Sequence, residues 1–137
     1  MQRYLSLVSG FVTHVLPSHF FRYFCENSAF MVGKFKVVTL CGSTRFKEQF
    51  LEAQKRLTLE GNIVISVGLF GHSGDEEVWT EGTKEMLDNM HKRKIDMADS
   101  IYVINVGGYI GESTRSEIEY ATRNGKDVEY LEPLKKD

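Results

Sequence analysis

From residue 34 onward, short apolar runs alternate with stretches whose apolar residues recur at helical spacing. Residues 36–41 (Lys-Val-Val-Thr-Leu-Cys) read as a buried strand, being short and rich in β-branched side chains. Gly42, Ser43, Thr44 and Arg45 form the turn after it. Ser43 or Thr44 caps a helix predicted to run to residue 60, with Phe46, Phe50, Ala53 and Leu57 on its core face. Gly61 closes that helix. Residues 62–67 are a second strand. Residues 68–79 are a loop long enough to carry function. A second helix spans 80–97, with Met86, Leu87, Met90, Ile95 and Met97 predicted to face inward. Residues 100–106 form a third strand, followed by Gly107, Gly108 and Gly111. The third helix starts at Ser113 or Thr114, runs to 124 and is closed by Gly125, and residues 127–131 complete a fourth strand.

Strands that are apolar throughout, alternating with helices, predict a parallel sheet covered on both faces. Right-handed crossovers make this a doubly wound α/β sandwich of three layers, Rossmann- or flavodoxin-like. It occupies residues 34–137 as one domain, and residues 1–33 are an atypical N-terminal extension, disordered or helical. Residues 1–30 have neither period but many aromatics, including Tyr4, Phe11, Phe20, Phe21, Tyr23, Phe24 and Phe30. The run 5–16 is too short and too polar for a membrane span, and Arg3 alone makes a poor signal-peptide n-region.

Composition adds constraints more than it adds function. A hydrophobic content of 42% with 26% charge is ordinary for a globular chain. The net charge of −2 leaves no basic footprint for nucleic acid and allows a small ligand held by local dipoles. Two cysteines, Cys25 and Cys41, are too few for a disulfide framework. Cys41 reads as a buried free thiol, which suits a reducing, cytoplasmic setting. No His, Cys and carboxylate stand at metal-ligand spacing, so neither metal nor cofactor is expected.

In a doubly wound sheet, ligands bind at the carboxyl ends of the strands. The loops 42–45 and 107–113 both belong to that edge. Backbone N–H groups at a helix start, the hydroxyls of Ser43 and Thr44 and the Arg45 guanidinium suit a phosphate or sugar, although a Ser/Thr-capped turn needs the same residues. Gly108, Gly111, Glu112, Ser113 and Thr114 form the second cradle. The spacing fits neither a P-loop nor the dinucleotide fingerprint. Glu117, in the first turn of the third helix, is the candidate catalytic carboxylate. A capping box with Thr114 explains the same pair without any chemistry. His91 shares a face with Leu87 and Ile95, where Asp88 can orient its ring. Asp99 opposes the helix dipole and is either catalytic or a cap. His72, Asp75 and Trp79 are candidates for a base pocket or plain loop.

Three of these stretches together resemble the nucleoside 2-deoxyribosyltransferase superfamily, which includes 2′-deoxynucleoside 5′-monophosphate N-glycosidases. They are Val-Thr-Leu-Cys-Gly-Ser-Thr-Arg (38–45), Lys-Ile-Asp-Met-Ala-Asp-Ser-Ile-Tyr-Val (94–103) and Gly-Glu-Ser-Thr-Arg-Ser-Glu-Ile-Glu-Tyr-Ala (111–121). The resemblance implies Glu117 as nucleophile toward the anomeric carbon of a deoxyribose, with His91 and Asp99 assisting. It implies that Cys41, Gly42, Ser43, Thr44, Arg45, Gly108, Gly111, Glu112, Ser113 and Thr114 line a nucleoside or nucleotide site. It further implies a homo-oligomer. The chain departs from the pattern at His91, where relatives often carry Asp, at Glu119, where they often carry Gly, and at Ser113 and Arg115, where they have loop glycines. Cleavage of a deoxynucleoside or its monophosphate, by hydrolysis or transfer, is the function expected. A phosphoribohydrolase and a non-catalytic nucleotide sensor are the alternatives.

Overall fold

The computed structural model describes residues 32–136, so the expectations for residues 1–31 lie outside the described residues. Phe35–Asp137 forms one unit. Its strands are β1 (Val37–Gly42), β2 (Ile63–Ile65), β3 (Ser100–Ile104) and β4 (Asp127–Tyr130). Its α-helices are α1 (Lys47–Leu59), α2 (Thr83–Asp96) and α3 (Glu112–Arg123). The sheet is parallel throughout, in the order β2-β1-β3-β4. This is the doubly wound, Rossmann-like α/β fold that the alternation predicts.

The two-residue strand period sorts the core into two halves. Val38 and Leu40 of β1, with Tyr102 and Ile104 of β3, meet Phe50, Ala53 and Leu57 of α1. Cys41, Ile101 and Val103 point the other way and meet Ile95 of α2 and Ala121 of α3. Both faces of the central strands are therefore covered, while β2 and β4 are half-exposed edges. Strand β2 is shorter than its apolar run. Beyond Ile65 the chain leaves the sheet, and Lys94 Nζ donates to the carbonyls of Ser66 (2.8 Å) and Val67 (3.2 Å) in place of a strand neighbour.

Two helices differ from their patterns. On α2 the inward stripe is half-buried Leu87 with buried His91 and Ile95, at i, i+4, i+8, so Met86, Met90 and Met97 are exposed rather than inward. Helix α3 begins at Glu112, earlier than its hydroxyls suggest. Gly111 occupies the N-cap position with no side-chain cap, and its carbonyl accepts from Arg115 N (2.9 Å). Thr114 is thus inside the helix and buried, and the capping box with Glu117 does not form. Among the described residues, no helix is long and apolar enough to cross a membrane.

The chain reverses its winding at β1. From β1 it goes to one neighbour, β2, and then crosses to the other, β3. The crevice of such a fold opens between the carboxyl ends of β1 and β3. These ends are Gly42 and Ile104, which pair in register. A Cβ on Gly42 would lie 3.0 Å from Ile104 Cβ and O, and its φ is +154°, so only glycine fits this close approach.

Candidate functional site

Three elements each bring one polar side chain to that crevice. Cys41 comes from the end of β1, on the α2–α3 side of the sheet. His91 is carried in by the inward stripe of α2. Glu117 lies in the second turn of α3, one turn deeper than the sequence suggests. His91 Nε2 is 3.5 Å from Cys41 Sγ and 3.9 Å from Glu117 Oε2. The Glu117 side chain is only 14% exposed, and its buried Oε2 has no hydrogen-bond partner among the described residues. A buried carboxylate oxygen without a partner is costly, and needs a reason outside the fold itself.

Burial sets the protonation of all three groups. It pushes the Glu117 carboxyl up to about 7; the nearby Cys41 thiol works against the rise and Asp88 adds to it. Burial, then the Lys94 charge, brings His91 down to about 4. His91 is accordingly a neutral imidazole near pH 7. Burial likewise pushes the Cys41 thiol up, reinforced by the charge of Glu117. Cys41 is therefore a closed thiol and not a nucleophile.

Glu117 stands where two hollows meet. One, of about 120 Å³, is walled by Gly42, Thr44, Leu69, His72, Val78 and Trp79. The other, of about 230 Å³, is lined by Asp88, Lys92, Glu112, Ser113 and Ser116. Thr44 clasps the loop 68–79 onto the first hollow. Its Oγ1 lies 2.8 Å from His72 Nδ1 and accepts from His72 N (3.2 Å), and its carbonyl accepts from Ser73 Oγ (2.8 Å). The His72 ring meets Trp79 edge-on at 5.0 Å. The loop thus presents an aromatic wall. Asp75 does not belong to that wall. Its Oδ2 accepts from Phe70 N (2.6 Å) and fixes the base of the loop.

The predicted cradle is only partly assembled. Gly42, Thr44, His91, Glu112, Ser113 and Glu117 line the two hollows. Cys41 is fully buried behind His91 and Glu117, so it has no surface for a substrate. Ser43 Oγ accepts from Arg45 N and Nε, capping the short turn at Thr44–Phe46. The Arg45 guanidinium stacks on Tyr109 at 4.5 Å, outside the hollows. Gly108 closes a turn onto Asn105 (2.8 Å), which is itself bonded to the backbone of Glu132, and Gly111 serves as the helix cap. Thr114 packs inside. Asp99 is at the wrong end of the sheet: its Oδ2 accepts from Val37 N (2.8 Å), where β1 begins. It caps that edge and takes no part in the site.

Sequence reading missed Lys84, Lys92 and Ser116 as lining residues. The spacing of Lys84, Asp88 and Lys92 at i, i+4, i+8 was the available signal for the first two. It also missed that Cys41, His91 and Glu117 meet with their ligand atoms all within 4.8 Å. The expectation of no such cluster is corrected by the fold, because the three are far apart in the chain.

No family model, curated protein or solved structure matches the chain. The likeness to the deoxyribosyltransferases accordingly rests on the motifs alone.

Proposed function

We propose that the chain cleaves the N-glycosidic bond of a deoxynucleoside, with Glu117 as nucleophile. The observation that carries this reading is the buried Glu117 oxygen, left without a partner at the junction of two hollows. The base lies against the aromatic wall of His72 and Trp79, and the sugar lies over Glu117. The carboxylate forms a C–O bond to the anomeric carbon as the C–N bond breaks, through an oxocarbenium-like transition state. The base leaves with the C–N electron pair and takes a proton from water in the open cleft. Water, or a second base, then displaces the sugar and restores the carboxylate. The His91 ring packs beside Glu117, 3.9 Å from its Oε2, without a hydrogen bond to it.

Charge bears on the substrate. The second hollow holds one ammonium, Lys92, against Asp88, Glu112 and Glu117. That balance disfavours a 5′-phosphate, so a deoxynucleoside is the better substrate and its monophosphate the poorer one. Homo-oligomerisation and a cytoplasmic setting belong to the same proposal, and sedimentation of the full chain tests the first. A second reading, binding without turnover, is favoured by the burial of His91, which keeps its ring from being a charged acid for the leaving base near neutral pH.

Measuring free base released from deoxynucleosides and their monophosphates, by wild type and Glu117→Gln, separates these readings. Wild type releases base and the variant loses at least about a thousandfold, the scale of a missing nucleophile. Undiminished release by Glu117→Gln would sink the assignment. Binding without release by wild type establishes the sensor.

A further inference from the structure

The three residues at the crevice have a second chemistry that the glycosidase reading does not use. They offer a thiol sulfur, an imidazole nitrogen and a carboxylate oxygen, the donor types that zinc-class ions take. Their spacing also suits such an ion. Bonds of about 2.3 Å to sulfur and about 2.05 Å to nitrogen, at a tetrahedral angle, separate those ligand atoms by about 3.6 Å. Cys41 Sγ and His91 Nε2 are 3.5 Å apart. The corresponding nitrogen–oxygen separation is about 3.4 Å, and His91 Nε2 and Glu117 Oε2 are 3.9 Å apart. All three ligand atoms lie within 4.8 Å of one another, so an inward movement of the one carboxylate closes the set. The partnerless Glu117 Oε2 is already buried toward it.

We propose that Cys41, His91 and Glu117 form a zinc-class metal site whose occupation silences Glu117 as a nucleophile. Three protein ligands are supplied from three elements, and two of them, His91 and Glu117, also line the hollows, which leaves room for a fourth, non-protein ligand. The ion reaches the site past His91 and Glu117, because Cys41 itself is closed to solvent. Binding exchanges the Cys41 thiol proton for the metal and releases it to solvent, while His91 contributes the Nε2 lone pair of its neutral ring. A carboxylate bonded to the ion cannot attack a sugar. Metal binding and base release are thus mutually exclusive uses of one carboxylate. Only the silencing half rests on the proposed function.

The test uses the full chain, stripped with a chelator and titrated with Co²⁺. Wild type gains the thiolate-to-cobalt charge-transfer band, and zinc displaces it. Cys25→Ser keeps the band, as a site built on Cys41 requires. Cys41→Ser loses it, and His91→Ala and Glu117→Gln weaken Co²⁺ binding at least about tenfold. Circular dichroism confirms that each variant folds; should Cys41→Ser unfold, the His91 and Glu117 variants decide. No band in wild type, or an unchanged band in folded Cys41→Ser, overturns the site. Saturating zinc abolishes base release and chelator restores it. Base release that is indifferent to bound zinc, or raised by it, overturns the silencing. A metal band in a chain that releases no base leaves the site standing and removes the glycosidase reading instead.

Discussion

Glu117 is the residue on which chemistry and stability meet, because the fold holds its carboxyl at about 7 instead of 4.5. As a nucleophile it must be ionised. In metal-free protein, kcat/KM for base release should therefore rise with pH along a limb centred near 7. A rate that stays flat from neutral pH down to about 5, the upper range of an ordinary carboxylate, would count against the assignment. The same shift has a stability consequence of definite sign. Between 4.5 and about 7 the folded chain keeps a proton that the unfolded chain has lost, so stability falls as pH rises through this window. The full penalty, about 3 kcal/mol, is reached only above the folded value. Glu117→Gln carries no such penalty. It should match wild type in urea denaturation at about pH 4.5 and exceed it by about 3 kcal/mol at about pH 8. His91 acts in the opposite direction. Its value falls from 6.5 to about 4, so its contribution is lost as pH drops through that range in both proteins.

At the scale of elements, the site depends on where β1 ends and α3 begins. Gly42 ends β1 with a backbone that no other residue matches. Gly42→Ala drives a Cβ to 3.0 Å from Ile104 at a φ of +154°. It should cost about 1–3 kcal/mol in denaturant unfolding, and a cost near zero would show that β1 and β3 can separate at this end. Strands β1 and β3 were legible in the sequence because burial on both faces demands an unbroken apolar run. The end of β2 was not, since Lys94, some thirty positions away in the chain, takes its carbonyls. The start of α3 was misread for a local reason. Ser113 and Thr114 are strong caps, but packing of Thr114 in the interior outweighs its capping preference. The methionines of α2 misled in the same way, because hydrophobic type alone does not fix a helix face. Glu117 and His91 stood out singly as residues. Their meeting with Cys41 did not, because 50 positions separate Cys41 from His91 and only the crossovers bring them together.

Across the whole molecule, the crevice is held by two kinds of contact of unequal strength. The α1 half-core contains Phe50, fully buried and edge-on to Phe70 at 5.4 Å. Through Phe70, the base of the loop 68–79 is anchored in that core. The tip of the loop, His72 and Ser73, is held differently, by the hydroxyl and carbonyl of Thr44 outside either half-core. Global stability and closure of the cleft should therefore separate by mutation. Phe50→Ala should cost about 3–5 kcal/mol, because it empties a large volume next to both the sheet and Phe70. Thr44→Val keeps the carbonyl contact with Ser73 but removes both hydroxyl contacts with His72. It should cost only about 1–2 kcal/mol in global unfolding. Its larger effect should be local, as faster hydrogen exchange in residues 68–79 and a KM for base release raised more than kcat is lowered. The aromatic wall would then be loosened while Glu117, on the other side of the crevice, keeps its place. Unchanged exchange in residues 68–79 of Thr44→Val would mean that the buried anchors Phe70 and Val78 hold the loop and that the Thr44 clasp is incidental.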